Sequence, residues 1–185
     1  LCLDKSETYD FVKEVVEEVM SITSGPWFHV GGDEVADDNY TSFISWLDTI
    51  VTNQNKVMVG WQEINKGSTL SDNTIWQIWK HGTSVPAGSN PMLNSDCANA
   101  YLDHPEKIGG PGLTWCSSAL LESEVYQIKS GSVGVEAALW GERLTDSTVV
   151  SDMMYPRLIA LAEASWTPES KRDYNDFVVR RGLLE

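Results

Sequence analysis

Two adjacent carboxylates, Asp33 and Glu34, follow two glycines and stand four and five residues after His29. Carboxyl groups trade protons. Gly31 and Gly32 let the backbone turn tightly and let a ligand approach it, and a carboxyl at a partly apolar rim has its pKa raised enough to donate a proton near neutral pH. Glu34 is thereby a candidate general acid. An Asp-Glu pair after a strand is also an ordinary solvated turn, so the surrounding residues must decide. Eight tryptophans in 185 residues are the compositional outlier, and exposed aromatic rings stack on sugars or bases. If the substrate is a glycoside, the usual chemistry needs two opposed carboxylates about 5 to 9.5 Å apart. Neighbours on an extended chain point to opposite sides, which places Asp33 and Glu34 poorly to flank one bond. Either a second carboxylate comes from elsewhere or the substrate supplies its own nucleophile.

The elements that would carry these groups alternate between helical and strand-like patterns. Ser6 is positioned to cap a helix with an apolar face at Val12, Val15, Val16 and Val19, stopped by Ser24-Gly25-Pro26. Strand patterns follow at Trp27 to Val30, Lys56 to Trp61, Thr74 to Trp79, Met92 to Ser95 and Val133 to Trp140. Phe43, Leu47, Ile50 and Val51 mark a second helix, and Met154, Leu158, Leu161 and Ala162 a later one. Short buried strands alternating with helices indicate an α/β fold with a parallel sheet. Polar and aromatic residues gather at the strand ends: Asp33 and Glu34, Trp61, Trp79, Tyr101 with Asp103, and Trp140 with Glu142. That is the rim where (β/α)8 TIM barrels keep their chemistry, but such barrels usually need about 250 residues. The expectation is a partial barrel carrying roughly the C-terminal five βα units, with residues 1–185 as one partial catalytic domain.

A net charge of −14 disfavours nucleic acid or an anionic membrane surface as the partner. No run approaches the roughly 20 apolar residues of a membrane span. Cys2, Cys97 and Cys116 lack metal-ligand spacing and read as small buried thiols. His29, His81 and His104 are far apart in sequence, and no phosphate-binding glycine loop occurs. Neither a metal nor an organic cofactor is expected.

The run His29-Val30-Gly31-Gly32-Asp33-Glu34 resembles the His-x-Gly-Gly-Asp-Glu signature of glycoside hydrolase family 20, the β-N-acetylhexosaminidases. Further segments resemble that family in order along the chain. They are Leu1-Cys2-Leu3-Asp4-Lys5, Val59-Gly60-Trp61, Ile78-Trp79-Lys80, Tyr101-Leu102-Asp103, Leu113-Thr114-Trp115 and Gly134-Val135-Glu136 through Leu139-Trp140-Gly141-Glu142. The resemblance implies that Glu34 is the general acid and base, that Asp33 orients the 2-acetamido N–H and stabilises an oxazolinium, and that Tyr101 hydrogen-bonds the acetamido oxygen. It implies that Trp61, Trp79 and Trp140 wall the sugar, that Trp115 lies on the leaving-group side, that Asp103 and Glu142 bind sugar hydroxyls, and that His29 supports the pair. The implied substrate is an N-acetylglucosaminide or N-acetylgalactosaminide, and the implied setting is secreted, periplasmic or lysosomal. By spacing alone each of these tryptophans is equally a barrel-core residue. Trp27, Trp46, Trp76 and Trp166 are left to core or surface.

The family's strand-one arginine has no match, and Arg143, Arg157, Arg172, Arg180 and Arg181 offer no substitute. The expectation is therefore a fragment, completed by a missing N-terminal segment or a complementary chain. The competing readings are a sugar-binding protein or catalytically incomplete fragment and, because Gly31-Gly32-Asp33-Glu34-Val35 resembles the Gly-Gly-Asp-Glu-Phe motif, a diguanylate cyclase. The cyclase motif lies well inside its domain, after an acidic metal-binding segment, whereas here a single helix precedes it.

Overall fold

The computed structural model describes residues 1–83 and 90–183. These divide into two compact units, residues 1–77 with 90–92 and residues 78–83 with 93–183.

In the first unit, helix α1 (Ser6–Ile22) leads to strand β1 (Trp27–His29), helix α2 (Tyr40–Asn53), strand β2 (Val57–Trp61) and most of strand β3 (Ile75–Ile78). The strands are parallel, with Trp27 opposite Val57, His29 opposite Val59 and Trp61 opposite Gln77. Each return of the chain therefore passes through a connection that packs on the sheet. Ile44, Leu47 and Val51 of α2 are buried, as are Met58, Val59, Ile64 and Ile75. Asp48, also buried, accepts from the Ser71 N–H at 2.9 Å, the Ser71 hydroxyl at 2.6 Å and the Thr74 hydroxyl at 2.7 Å, so its charge is compensated while it ties down the approach to β3.

Two details of α1 depart from the sequence reading. Ser6 is its first helical residue rather than its cap, and its hydroxyl turns to Glu7 at 3.3 Å. The seam that packs inward is the i, i+4 row through Thr8, Val16 and Met20, which leaves Val15 and Val19 exposed.

The second unit holds the end of β3, most of strand β4 (Met92–Asn94), strand β5 (Gly134–Val135) and five helices. These are α3 (Cys97–Ala100), α4 (Glu122–Tyr126), α5 (Ser147–Met154), α6 (Arg157–Trp166) and α7 (Tyr174–Arg181). The Ser95 N–H bonds the Ile78 carbonyl at 2.7 Å, and Leu93 and Asn94 pair in parallel with Gly134 and Val135. Its core gathers Leu102, Leu120, Val125, Tyr126, Ile128, Leu161 and Phe177.

The strand expected at Val133 to Trp140 is regular only at Gly134–Val135, because its partner leaves the ladder to form α3. Pairing resumes beyond it, where the Ala138 N–H bonds the Ala100 carbonyl and the Leu102 N–H bonds the Ala138 carbonyl. The helix expected around Met154 to Ala162 is two helices. Pro156 has no N–H to give and its ring crowds the preceding turn, so α5 stops at Met154 and α6 starts at Arg157. No described helix is long and apolar enough to cross a membrane.

Candidate functional site

Beyond β1 the chain passes through Gly31 at φ 74° and Gly32 at φ 96°, then turns at Asp33 and Glu34. A side chain at Gly32 would place its Cβ 2.7 Å from Cγ2 of Ile64 and 3.0 Å from the Tyr40 hydroxyl, so this position requires glycine for space as well as for torsion. The Trp61 N–H holds the Gly31 carbonyl at 2.9 Å, and the Tyr40 hydroxyl donates to the Gly32 carbonyl at 2.5 Å. The glycine pair is thus pinned on both sides.

Glu34 itself sits at φ 55°, a left-handed conformation that costs a side-chain-bearing residue about 1–2 kcal/mol. Because the pair occupies a turn, the alternation of an extended strand does not govern where the two carboxyls point. Both side chains are exposed, in place of the partly apolar rim expected around Glu34. His29, at the end of β1, accepts the Gly31 N–H on Nδ1 at 3.0 Å and meets the Gln77 side-chain oxygen through Nε2 at 2.9 Å. Its ring lies edge-on to Trp61 at 5.4 Å. Burial first, and then the Glu63 and Asp33 carboxylates, push the Tyr40 phenol up to about 12.

In the second unit Tyr101 is buried at the hub of a ring cluster. Trp79 lies parallel to it at 6.5 Å, Trp115 edge-on at 5.7 Å, Trp140 at 6.0 Å and His104 at 6.1 Å. Trp115 and Trp140 are 54% and 40% exposed, so the cluster has an open side. Lys80 places its Nζ 4.8 Å from the Trp79 ring centre.

Asp103 is wholly enclosed, its carboxylate 3.7 Å from Nδ1 of His104, and neither of its oxygens has a hydrogen-bond partner among the described residues. Glu142, in the turn after Trp140, is exposed.

The loop that carries Trp115 is fastened twice. The Leu113 N–H bonds the Asp103 carbonyl at 2.9 Å, and Cys116 forms a disulfide with Cys97 at the start of α3. This corrects the expectation of buried thiols: two of the three cysteines pair, nineteen residues apart, and Cys2 is a free, exposed thiol.

Tyr101, Trp79, Trp115 and Trp140 are thus brought together, as are His29, Trp61 and the Asp33-Glu34 turn. Sequence reasoning missed Tyr40, Gln77, His104 and the disulfide. His104, one residue past the Tyr-Leu-Asp run, Gln77, one before Ile78-Trp79-Lys80, and Cys116, one past Leu113-Thr114-Trp115, each stood next to a visible signal, whereas Tyr40 did not. Among the described residues no group of three His, Cys, Asp or Glu side chains is placed to hold a metal ion.

The glycosyl hydrolase family 20 catalytic-domain model matches this chain over residues 1–42 and 40–169. The chain belongs to that family. It is 32% identical to a β-N-acetylhexosaminidase of Cellulomonas fimi over 195 residues, covering 94% of this chain and 39% of that protein. The family 20 β-N-acetylhexosaminidase structure from Streptomyces coelicolor A3(2) superposes with a TM-score of 0.86 at 28% identity, over 97% of this chain and 41% of that one. A mutant Streptomyces plicatus β-hexosaminidase in complex with its product, GlcNAc, gives the same TM-score and identity, over 97% and 40% of the two chains. The chain thus spans about two fifths of the length of these family 20 relatives, and its parallel strands and helices are part of a TIM barrel.

Proposed function

We propose that this chain carries the acid/base and acetamide-binding residues of a β-N-acetylhexosaminidase that removes terminal N-acetylhexosamine from β-glycosides. Residues 1–185 then belong to one catalytic barrel domain. The observation that carries the reading is Tyr101, a hydroxyl-bearing ring held inside the cluster of Trp79, Trp115 and Trp140. An acetamido group has an apolar methyl that suits such rings and a carbonyl oxygen that suits such a hydroxyl.

In the reaction, the Glu34 carboxylic acid gives its proton to the glycosidic oxygen as the bond from that oxygen to C1 breaks. The substrate's acetamido oxygen closes on C1 and forms an oxazolinium ion. Asp33 accepts the acetamido N–H and faces the growing positive charge, a carboxylate fixed in advance where charge develops. Glu34, now a carboxylate, takes a proton from water as the water attacks C1 from the face the leaving group vacated; the C1–O bond of the oxazolinium breaks, its electron pair returns to restore the neutral acetamide, and the β-configuration is kept.

Trp61, Trp79 and Trp140 line the sugar, Trp115 the leaving-group side, and Asp103 and Glu142 take sugar hydroxyls. His29 supports the turn through Gly31. The disulfide fits an oxidising compartment, in keeping with a secreted, periplasmic or lysosomal enzyme.

The test is hydrolysis of a chromogenic N-acetyl-β-glucosaminide by the wild-type chain and by Glu34→Gln. Turnover that is lost in the variant supports the reading. Binding of N-acetylglucosamine without any turnover by the wild type would replace it with that of a sugar-binding or catalytically incomplete fragment.

A further inference from the structure

The geometry points to Arg157 as the positioning residue that sets Tyr101 and Trp115 relative to one another. Its side chain is fully buried, yet it is spent almost entirely on main-chain carbonyls. Nη1 donates to His104 O at 2.9 Å and to Leu120 O at 3.2 Å, and Nη2 donates to Leu102 O at 2.7 Å and to Met153 O at 2.5 Å. Leu102 and His104 flank Asp103 and follow Tyr101 directly. Leu120 closes the loop that presents Trp115, and its own N–H returns to the Pro105 carbonyl at 2.7 Å. One planar guanidinium therefore grips the turn after Tyr101, the end of the Trp115 loop and the last turn of α5.

The fit at that junction is tight. Gly112, at φ 133°, lies so close to the Asp103 carbonyl and the Pro105 nitrogen that a Cβ there would collide with both. Burial pulls the Arg157 guanidinium below its ordinary value, while the Glu106 and Asp103 carboxylates hold it up. Enclosing a charge in this way is costly, and an apolar side chain of similar volume often stabilises a fold as well or better. What the apolar residue lacks is a rigid fork that fixes several carbonyls at defined angles. Arg157 thus trades stability for a defined ring geometry.

This inference deepens the reading of Tyr101 and Trp115 as substrate contacts and rests on it. The test compares the full 185-residue chain with Arg157→Lys and Arg157→Met. Near-UV circular dichroism reads the packed aromatic rings, with Trp115→Phe and Trp79→Phe in the wild-type background marking the part of the signal that comes from this cluster; far-UV circular dichroism reads the helices, and tryptophan fluorescence follows N-acetylglucosamine binding.

The expected result is loss in Arg157→Met of the part of the near-UV signal that the ring cluster contributes, at unchanged far-UV signal, partial recovery in Arg157→Lys, and sugar binding weakened about tenfold in the methionine variant, the equivalent of ~1.4 kcal/mol. A near-UV spectrum unchanged in both variants while Tm falls would overturn the assignment and leave Arg157 a fold-stabilising residue. If the wild-type chain binds no sugar, the proposed function fails by itself, and the near-UV comparison still decides this inference. If neither variant folds, the wild-type protein decides it by NMR. Resolved, exchange-protected Arg157 Nη protons support the clamp, and rapidly exchanging averaged ones refute it.

Discussion

Nε2 of His29 lies 2.9 Å from Oε1 of Gln77, while Nδ1 of the same ring accepts the Gly31 N–H at 3.0 Å. The second bond fixes the tautomer: Nδ1 carries the lone pair, so Nε2 carries the proton and donates it to Gln77. Gln77 on β3 thereby orients the ring at the end of β1 that steadies the turn leading to Asp33 and Glu34. A side-chain amide two strands away thus acts on the Asp33-Glu34 turn through a single imidazole.

Replacing Gln77 by Leu removes this acceptor and should cost about 1–1.5 kcal/mol of turn positioning, or roughly tenfold in hydrolysis rate. Gln77→Glu, which keeps an acceptor, should retain more of the rate. Steady-state hydrolysis of a chromogenic N-acetyl-β-glucosaminide by the two variants checks this, and equal losses in both would contradict it.

Glu34 holds a conformation that glycine adopts freely. Glu34→Gly relieves about 1–2 kcal/mol of strain while returning roughly 0.5–1 kcal/mol of chain entropy to the unfolded state. Its thermal stability should equal or slightly exceed that of the wild type, although hydrolysis falls by about a hundredfold or more. Gly32→Ala should do the reverse to the fold and lower stability by ~2–3 kcal/mol, because the new Cβ meets Ile64 at φ 96°. Thermal melts of the two variants test both statements.

Tyr40 keeps its proton in the folded chain to a pH of about 12, against an ordinary value of 10.0. Between those values the unfolded chain has lost the proton and the folded one still holds it. The stabilisation is therefore complete below pH 10 and drains away as pH climbs through the folded value. Melting temperatures across that window should fall more steeply for the wild type than for Tyr40→Phe. Parallel slopes would show that the phenol is not held protonated.

The Cys97–Cys116 bond closes a loop of nineteen residues, and its loss should cost about 3 kcal/mol by the chain-entropy argument. Alkylation of the native protein should add one label, at Cys2, and alkylation after reduction and unfolding should label all three cysteines. Intact-mass measurement reads both states. Reduction should also quench the near-UV signal of Trp115, which sits next to Cys116.

Much of this architecture was legible in the sequence, because buried parallel strands announce themselves as short apolar runs and glycine pairs mark where the chain must turn. The Trp27, Lys56, Thr74 and Met92 runs became β1 to β4 within a residue or two at each end. Periodicity failed where tertiary packing overruled it. The α1 seam follows Thr8, Val16 and Met20, and the long C-terminal helix breaks at Pro156. Asp33, Glu34, Trp61, Trp79 and Trp140 stand out near strand ends, but a sugar-lining part for the tryptophans comes from the family resemblance, because spacing alone leaves each one equally a core residue. The sequence was silent on Gln77 and Arg157 because their partners His29, Leu102, His104 and Leu120 lie 37 to 55 residues away, and on Tyr40 because a bond to the Gly32 carbonyl eight residues back follows no helix or strand spacing.

The central claim is that the substrate's acetamido oxygen is the attacking group, and fluorination of that acetyl group tests it most directly. Hydrolysis rates are compared for N-acetyl, N-fluoroacetyl, N-difluoroacetyl and N-trifluoroacetyl β-glucosaminides carrying one leaving group. Each fluorine withdraws electrons from the carbonyl oxygen and weakens it as a nucleophile. The account predicts a stepwise decline, more than about tenfold overall, which adds ~1.4 kcal/mol or more to the barrier. Rates that stay level along the series would show that an enzyme group or water attacks C1 directly, and would contradict the account.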